Sequence, residues 1–171
     1  MKLSLIIGAL RLRCPTFRGR VGGAAEFKPL PEVGKLQVPA AYVIPLDDNA
    51  GENKSETDYW QKVTDGFAVI VVVDNSRDER GQAATYDAIH AIRAELVKAL
   101  AGWEPEPDYR AIQYEGGNLL DMDRSRLYYQ FEFSASFEFN EEDTRQWDDH
   151  EALAEFDTLA VGVDLIDPGD G

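Results

Sequence analysis

The chain has 171 residues, 44% of them apolar and 11% aromatic, enough for one domain around a single core and too apolar for a disordered chain. Its formal charge of −15 repels phosphate backbones and anionic membrane surfaces, which argues against nucleic-acid or membrane binding as a primary task. No stretch approaches the ~20 consecutive apolar residues of a membrane span. The single cysteine, Cys14, rules out an intrachain disulfide or a thiolate metal cluster and points to an intracellular origin.

Leu3, Ile6, Ile7 and Leu10 recur at helical spacing, so the chain opens with a short amphipathic helix over 3–12. Arg11 and Arg13 follow the apolar run, the reverse of the charge order in a secretory signal. Pro15 stops the helix, leaving Cys14 at its end as a partly buried thiol with no activating base beside it in sequence. Arg18–Gly23 reads as a turn-rich connection, and Ala24–Leu30 as a second short helix before Pro31.

Ala40–Leu46 reads as a strand. Pro45 has no N–H for a ladder, so that end belongs at a sheet edge or beyond the paired region. Asp47–Asp58 is polar and reads as a long loop. Gly66–Val73 is apolar without alternation and rich in β-branched residues, the pattern of a central strand buried on both faces. After a turn over Asp74–Gly81, Gln82–Ala101 is the clearest helix, with Tyr86, Ile89, Ile92, Leu96 and Leu100 facing the core. Gly102 ends it, and Pro105 and Pro107 keep it ended.

A short apolar segment, Ala111–Tyr114, then leads through a Gly116-Gly117 turn to Asn118–Met122. In Arg126–Phe139 the apolar set Leu127, Tyr129, Phe131, Phe133, Ala135, Phe137 and Phe139 alternates with polar neighbours over fourteen residues. That is well beyond the usual ~5–6 residues of a strand. A strand this long is expected to project beyond the domain or to serve a subunit interface. Residues 140–171 carry eleven acidic residues against one arginine, a net of −10, and Leu159–Leu165 alternates as a final strand. The fold class that follows is α+β, a small antiparallel or mixed β-sheet with helices packed on one face. Residues 1–139 form the core domain, and 140–171 an acidic C-terminal extension.

Catalytic signatures are missing: there is no phosphate-binding glycine loop, dinucleotide fingerprint or nucleophile elbow. His90 sits one step from the stripe of the long helix and reads as structural, while His150 lies in the solvated acidic run Asp148-Asp149-His150-Glu151. Asp47-Asp48-Asn49-Ala50-Gly51 fails calcium-loop spacing, because its glycine comes one position early and no glutamate closes it. Asp121 and Asp123 would share one face of a strand and could face a cation, but a turn explains the pair as well. No enzyme activity and no cofactor is expected.

Several ordered segments resemble the tail terminator (tail-completion) proteins of long-tailed phages. Leu5–Arg11 followed by Phe17–Ala25 is similar to their N-terminal helix and turn, and Val38–Leu46 to their first strand. Val63–Phe67 leads into the second strand as in that family, Arg80–Ala84 opens the long helix, and Gly102-Trp103 with Tyr114–Leu120 resembles the link to the next hairpin. The resemblance covers most of residues 1–139. It implies a structural virion protein that caps the tail tube as a homohexameric ring, stops tube polymerisation and offers an interface to the head connector. The implied partners are further copies of the chain, the tail tube protein and a head-completion or connector protein. Membranes play no part, and DNA crosses the lumen without specific binding. The implied location is the virion tail, assembled in the host bacterial cytoplasm.

On this reading the subunit or tube interface falls to two groups. One is the polar loop with Asp47, Asp48, Asn49, Glu52 and Lys54, ending at Tyr59 and Trp60. The other is the outward row of the long strand, Tyr128, Gln130 and Glu132, whose alternate side chains suit an intersubunit sheet. Two other readings stand beside it: another neck or head–tail joining protein, and an acidic protein that mimics DNA or blocks a basic enzyme, which the net charge suggests.

Overall fold

The computed structural model describes residues 1–27, 36–75 and 85–156. Seven consecutive buried residues, Phe67–Val73, make the core of the central strand. The sheet contains β1 (Val21–Gly23), β2 (Ala40–Ala50), β3 (Trp60–Asp74), β4 (Gln113–Met122) and β5 (Arg126–Asn140), in the spatial order β1-β2-β3-β5-β4. β1 runs parallel to β2 and every other pairing is antiparallel, so the sheet is mixed and the fold is α+β.

Residue parity divides the two faces of the sheet. Val43, Val69, Val71, Leu127, Phe131 and Phe133 point to one face, where they pack with Ile6 and Leu10 of α1 (Leu3–Arg13) and with Ile89, Ile92, Leu96 and Leu100 of α3 (Thr85–Leu100). The expected stripe of the long helix is thus its core face; Tyr86 lies among residues whose side chains are outside the described set. Ala40, Tyr42 and Val72 point the other way and form a smaller cluster with Val38 and Tyr128. Phe27 of the four-residue α2 (Ala24–Phe27) covers that corner, its ring centroid 5.5 Å from that of Tyr42. α1 and α3 therefore share one face, while α2 sits on the other.

Several sequence expectations are corrected. The connection over Arg18–Gly23 contains β1, because Val21–Gly23 pairs with Ala41–Val43. The polar residues Asp47–Ala50 are not loop but the end of β2. Opposite Gly66 the strand bulges between Pro45 and Asp48 and then resumes pairing through Ala50↔Val63. A close strand approach accepts polar side chains when they point to solvent, and hydropathy alone reads such residues as loop. Pro45 lies past the end of β1, where one side of β2 has no partner strand among the described residues, which suits its missing N–H.

Gly116-Gly117 is not a turn either, since β4 continues through it, with pairing irregularities between Tyr114 and Gly116 and between Leu119 and Asp121. A Cβ on Gly117 would lie 2.8 Å from Tyr129 Cε1 and 3.0 Å from the carbonyl of Gln130, so the glycine admits the neighbouring ring and backbone. In the acidic extension the chain forms a 3₁₀ turn over Glu141–Asp143 and a helix, α4 (Arg145–Phe156), that the sequence reading did not anticipate. The expected final strand over 159–165, the turn after residue 75 and the start of the long helix before residue 85 lie outside the described residues.

β5 is not an exposed arm by itself. It pairs with β3 along its whole length, from Trp60↔Asn140 to Asp74↔Arg126, and with β4 on its other side. What extends is a three-stranded unit. Past the two-sided core, residues 44–50 of β2 and 60–66 of β3 are exposed or half-buried apart from Val63, and β5 continues beside them to Asn140. Seven residues at ~3.3 Å each give an extension of roughly 23 Å.

Cys14, just past the end of α1, is fully buried in the main core, and burial, with Glu95 second, pushes its thiol up to about 11. The folded protein should therefore resist alkylation at pH 8, and modification followed by mass spectrometry should track unfolding. As pH rises from ~9 towards ~11 the thiolate forms in the unfolded chain first, so stability should fall by on the order of 2–3 kcal/mol across that window. Gly117→Val should lower the urea midpoint by an amount worth about 1–3 kcal/mol, because the added carbons meet Tyr129 and Phe131.

Candidate assembly surface

The β2–β3 hairpin is built by side chains satisfying the backbone at its tip. Asn53 Oδ1 accepts from the N–H groups of Ser55 (3.2 Å) and Trp60 (2.9 Å), and Lys54 N–H donates to the Trp60 carbonyl at 2.9 Å. The Lys54 ammonium lies 5.0 Å from the centroid of the Trp60 ring, within reach of a cation–π contact. Trp60 in turn donates its indole N–H to Glu138 Oε2 at 3.2 Å, which ties the tip to β5. The Tyr59 hydroxyl donates to Gln61 Oε1 at 2.5 Å.

A short polar network braces the root of the same extension. The Met1 amino group lies 2.6 Å from Asp65 Oδ2 and 2.5 Å from the Tyr109 hydroxyl, which itself donates to Asp65 at 2.6 Å. Burial, then the hydrogen bond to Asp65, moves the Tyr109 phenol well above its ordinary range. Tyr109 also packs on Phe137, centroids 4.8 Å apart, and Phe137 meets Phe139 edge-on at 5.0 Å.

Of the residues singled out from the sequence, Asp47, Asn49 and Glu132 come together. With Glu115, Ser134 and Gly66 they line a cleft of about 630 Å³ on the sheet face opposite α1 and α3. Gly66 forms its floor, because a Cβ there would stand 3.1 Å from the Asp47 carbonyl. Gln130 donates to Glu132 Oε1 at 2.5 Å, and the Ser134 hydroxyl donates to Glu115. Asp48 is exposed on β2 beside the cleft, and Glu52, Lys54, Tyr59 and Trp60 are at the hairpin tip. Tyr128 is at the other end of the face, packed on the cluster around Tyr42 and Val72. Asn49 and Trp60 share the sheet face of Tyr128, Gln130 and Glu132, whereas Asp48, opposite Asp65, belongs to the other face, so the loop and strand groups do not form one site. Glu115 was missed because it precedes two glycines that read as a turn.

Other candidates resolve into structural roles. Asp123 caps the β4–β5 turn, its Oδ1 accepting from Ser125 N (2.6 Å) and Arg126 N (2.7 Å), and these bonds, the Ser125 backbone first, lower its pKa. Asp121 accepts from its neighbour Met122 N–H at 2.7 Å. Of the two readings of that acidic pair, the turn is the one seen. His90 is exposed, 2.8 Å from Arg93, and His150 is 3.5 Å from Glu141. Trp103 packs against the main core. Among the described residues, no group of three or more His, Cys, Asp or Glu is placed to hold a metal ion, and no helix is long and apolar enough to cross a membrane.

The described chain thus combines a mixed sheet with α1 and α3 on one face, an extended hairpin and an open, acidic cleft. Residues 1–144 match the family described as phage tail terminator protein, and the chain belongs to that family. It is a structural protein of a phage-type tail. Among solved structures it is similar to a chain of the "Virion of native gene transfer agent (GTA) particle", at 16% identity and a TM-score of 0.48, over 78% of this chain and 92% of that one. Comparison with curated protein sequences gives no match.

Tyr109→Phe removes the hydroxyl shared by Asp65 and Met1. It should cost about 1 kcal/mol by urea titration, with faster amide exchange concentrated in residues 60–66 and 134–140.

Proposed function

We propose that the protein caps the end of the tail tube as a ring of identical subunits, most simply a hexamer, stops further addition of tube protein and presents its far side to a head-completion or connector protein. No step of this task needs a catalytic group, and the protein is read as a non-enzyme. The observation that carries the reading is the three-stranded extension of β2, β3 and β5. Along it, beyond the helix-covered core, lie Asp47, Asp48 and Asn49 on β2, with Glu52, Lys54, Tyr59 and Trp60 at the hairpin tip. A sheet-backed hairpin holds its contact residues more firmly than a free loop does, which suits docking on a pre-formed ring. Gln130 and Glu132 on the open face, with Tyr128 at its edge, complete the surface offered to the tube or to a neighbouring subunit.

Charge sets the conditions. Each copy brings −15, so copies repel in dilute, low-salt solution, where screening lengths reach ~30 Å at 0.01 M salt, and assemble on the tube or at higher ionic strength. Carboxylates facing a lumen would also let DNA pass without holding it. Residues 1–139 act as the assembling domain, with the acidic segment after them as an extension, and assembly takes place in the host cytoplasm.

Electron microscopy of the purified protein mixed with tail tubes tests this. The expected image is a single ring at one end of each tube, with no further tube growth. Binding along the tube wall, or no binding at all, would overturn the proposal.

A further inference from the structure

The N-terminal helix α1 is apolar on more sides than its own fold uses. Ile6 and Leu10 are buried against the sheet and α3, and Leu3, Ile7 and Ala9 flank them. On the opposite side Leu5, Gly8 and Leu12 stack at i, i+3 and i+7, and all three are exposed, Leu12 at 83%. A Cβ added to Gly8 would meet nothing within 4 Å. A helix with a second apolar stripe is built for a second layer of protein.

The rim of this stripe is cationic in a strongly anionic chain. Lys2, Arg11, Arg13, Arg18 and Arg20 fall within the first 25 residues, and the first acidic residue is Glu26. Arg11 is engaged with the Val21 carbonyl at 2.6 Å and Arg20 with that of Pro39 at 2.9 Å. Arg13 is exposed and has no carboxylate partner among the described residues.

The complement lies on the far side of the same sheet. α1 packs over β1 and β2, whereas β4 is the edge strand at the other end. β4, the edge strand among the described residues, exposes Leu119 (42%), Leu120 and Met122 (52%) around Asp121, and exposed hydrophobic surface there invites a partner. Its ionisable side chains are acidic: Glu115 and Asp121 are both exposed, and no Lys or Arg occurs between Arg110 and Arg124.

We infer that the β4 edge of one copy docks on the outer stripe of α1 of the next, Leu119 and Met122 covering Leu5 and Leu12 while Asp121, on the other face of the same edge, flanks the helix towards Arg13. The occupant is a second copy because both halves are on this chain with opposite charge, an apolar centre and a charged rim, the anatomy of a specific interface. Both halves lie on opposite sides of one molecule, so the contact is head-to-tail, and repetition closes a ring or propagates. The inference rests on the ring reading proposed above and supplies its subunit contact. This contact leaves the β2–β3 hairpin free.

Sedimentation velocity on the full chain at physiological salt, over a concentration series, tests it, with circular dichroism as the check on folding. Leu12→Ser alters a side chain that touches almost nothing in the monomer, so the spectrum should not change while self-association weakens at least ~tenfold. Arg13→Glu and Asp121→Lys should each weaken association by about tenfold, and the double variant should recover most of the loss, since it restores opposite charges across the contact. If the parent chain assembles but none of these variants differs from it, or the double variant is weaker than either single one, the inference fails and the ring stands on another contact. If the parent chain fails to associate both alone and on tail tubes, the ring reading and this inference fall together.

Discussion

Fifteen residues of β3 pair with fifteen of β5 without a register break, and the rest of the molecule is arranged around that ladder. Each strand then needs a second neighbour, which β2 and β4 supply. Each face then needs cover, but only the half around Phe67–Val73 receives it on both sides. The remaining half is covered less, Val63 and Ala135 apart, and is stiffened by its hydrogen bonds and by aromatic contacts such as Tyr109 on Phe137. The ladder thus makes both the core and the extension, and splits the protein into a part that stabilises and a part that reaches out.

Small residues set the shape of the open face. Gly66 lets the bulged β2 backbone approach and leaves a depression, and Gly117 admits the Tyr129 ring where β4 crosses β5. Around that depression stand Asp47, Glu115 and Glu132, which come from three strands. Three carboxylates so placed repel one another and any anion, yet all three are reachable by water, so the cost to the fold is small. The surface is therefore acidic by arrangement as well as by composition.

Charge in this chain is distributed with direction. The first 25 residues are purely cationic, while the last 32 carry two thirds of the net negative charge. With charge so divided, like-charged approaches between two copies are penalised and those that bring the cationic end to an acidic surface are favoured. Membership of the phage tail terminator family across residues 1–144 also places α4 and everything after it beyond the matched region. The acidic extension is thus the part of the chain that family membership explains least.

Sequence by itself determined the elements whose signal is local. α1 and its stop at Pro15, the buried β3 run, the α3 stripe ending at Gly102 and the alternation of β5 all follow from periodicity and from residues that break it. The ordered family resemblance was legible too, since motif order survives where single motifs are weak. Tertiary structure alone decided what depends on pairing partners. The three residues of β1 are a strand only because β2 lies beside them, Asp47–Ala50 is strand only because β3 continues opposite, and Gly116-Gly117 is strand only because the Tyr129 ring occupies the space of a side chain. The same holds for the cleft, which joins Asp47, Glu115 and Glu132 across 85 positions of sequence. Hydrophobic period is a property of a segment, whereas a strand edge, a bulge or a cleft is a property of neighbours distant in the chain, and no local pattern encodes which neighbours arrive.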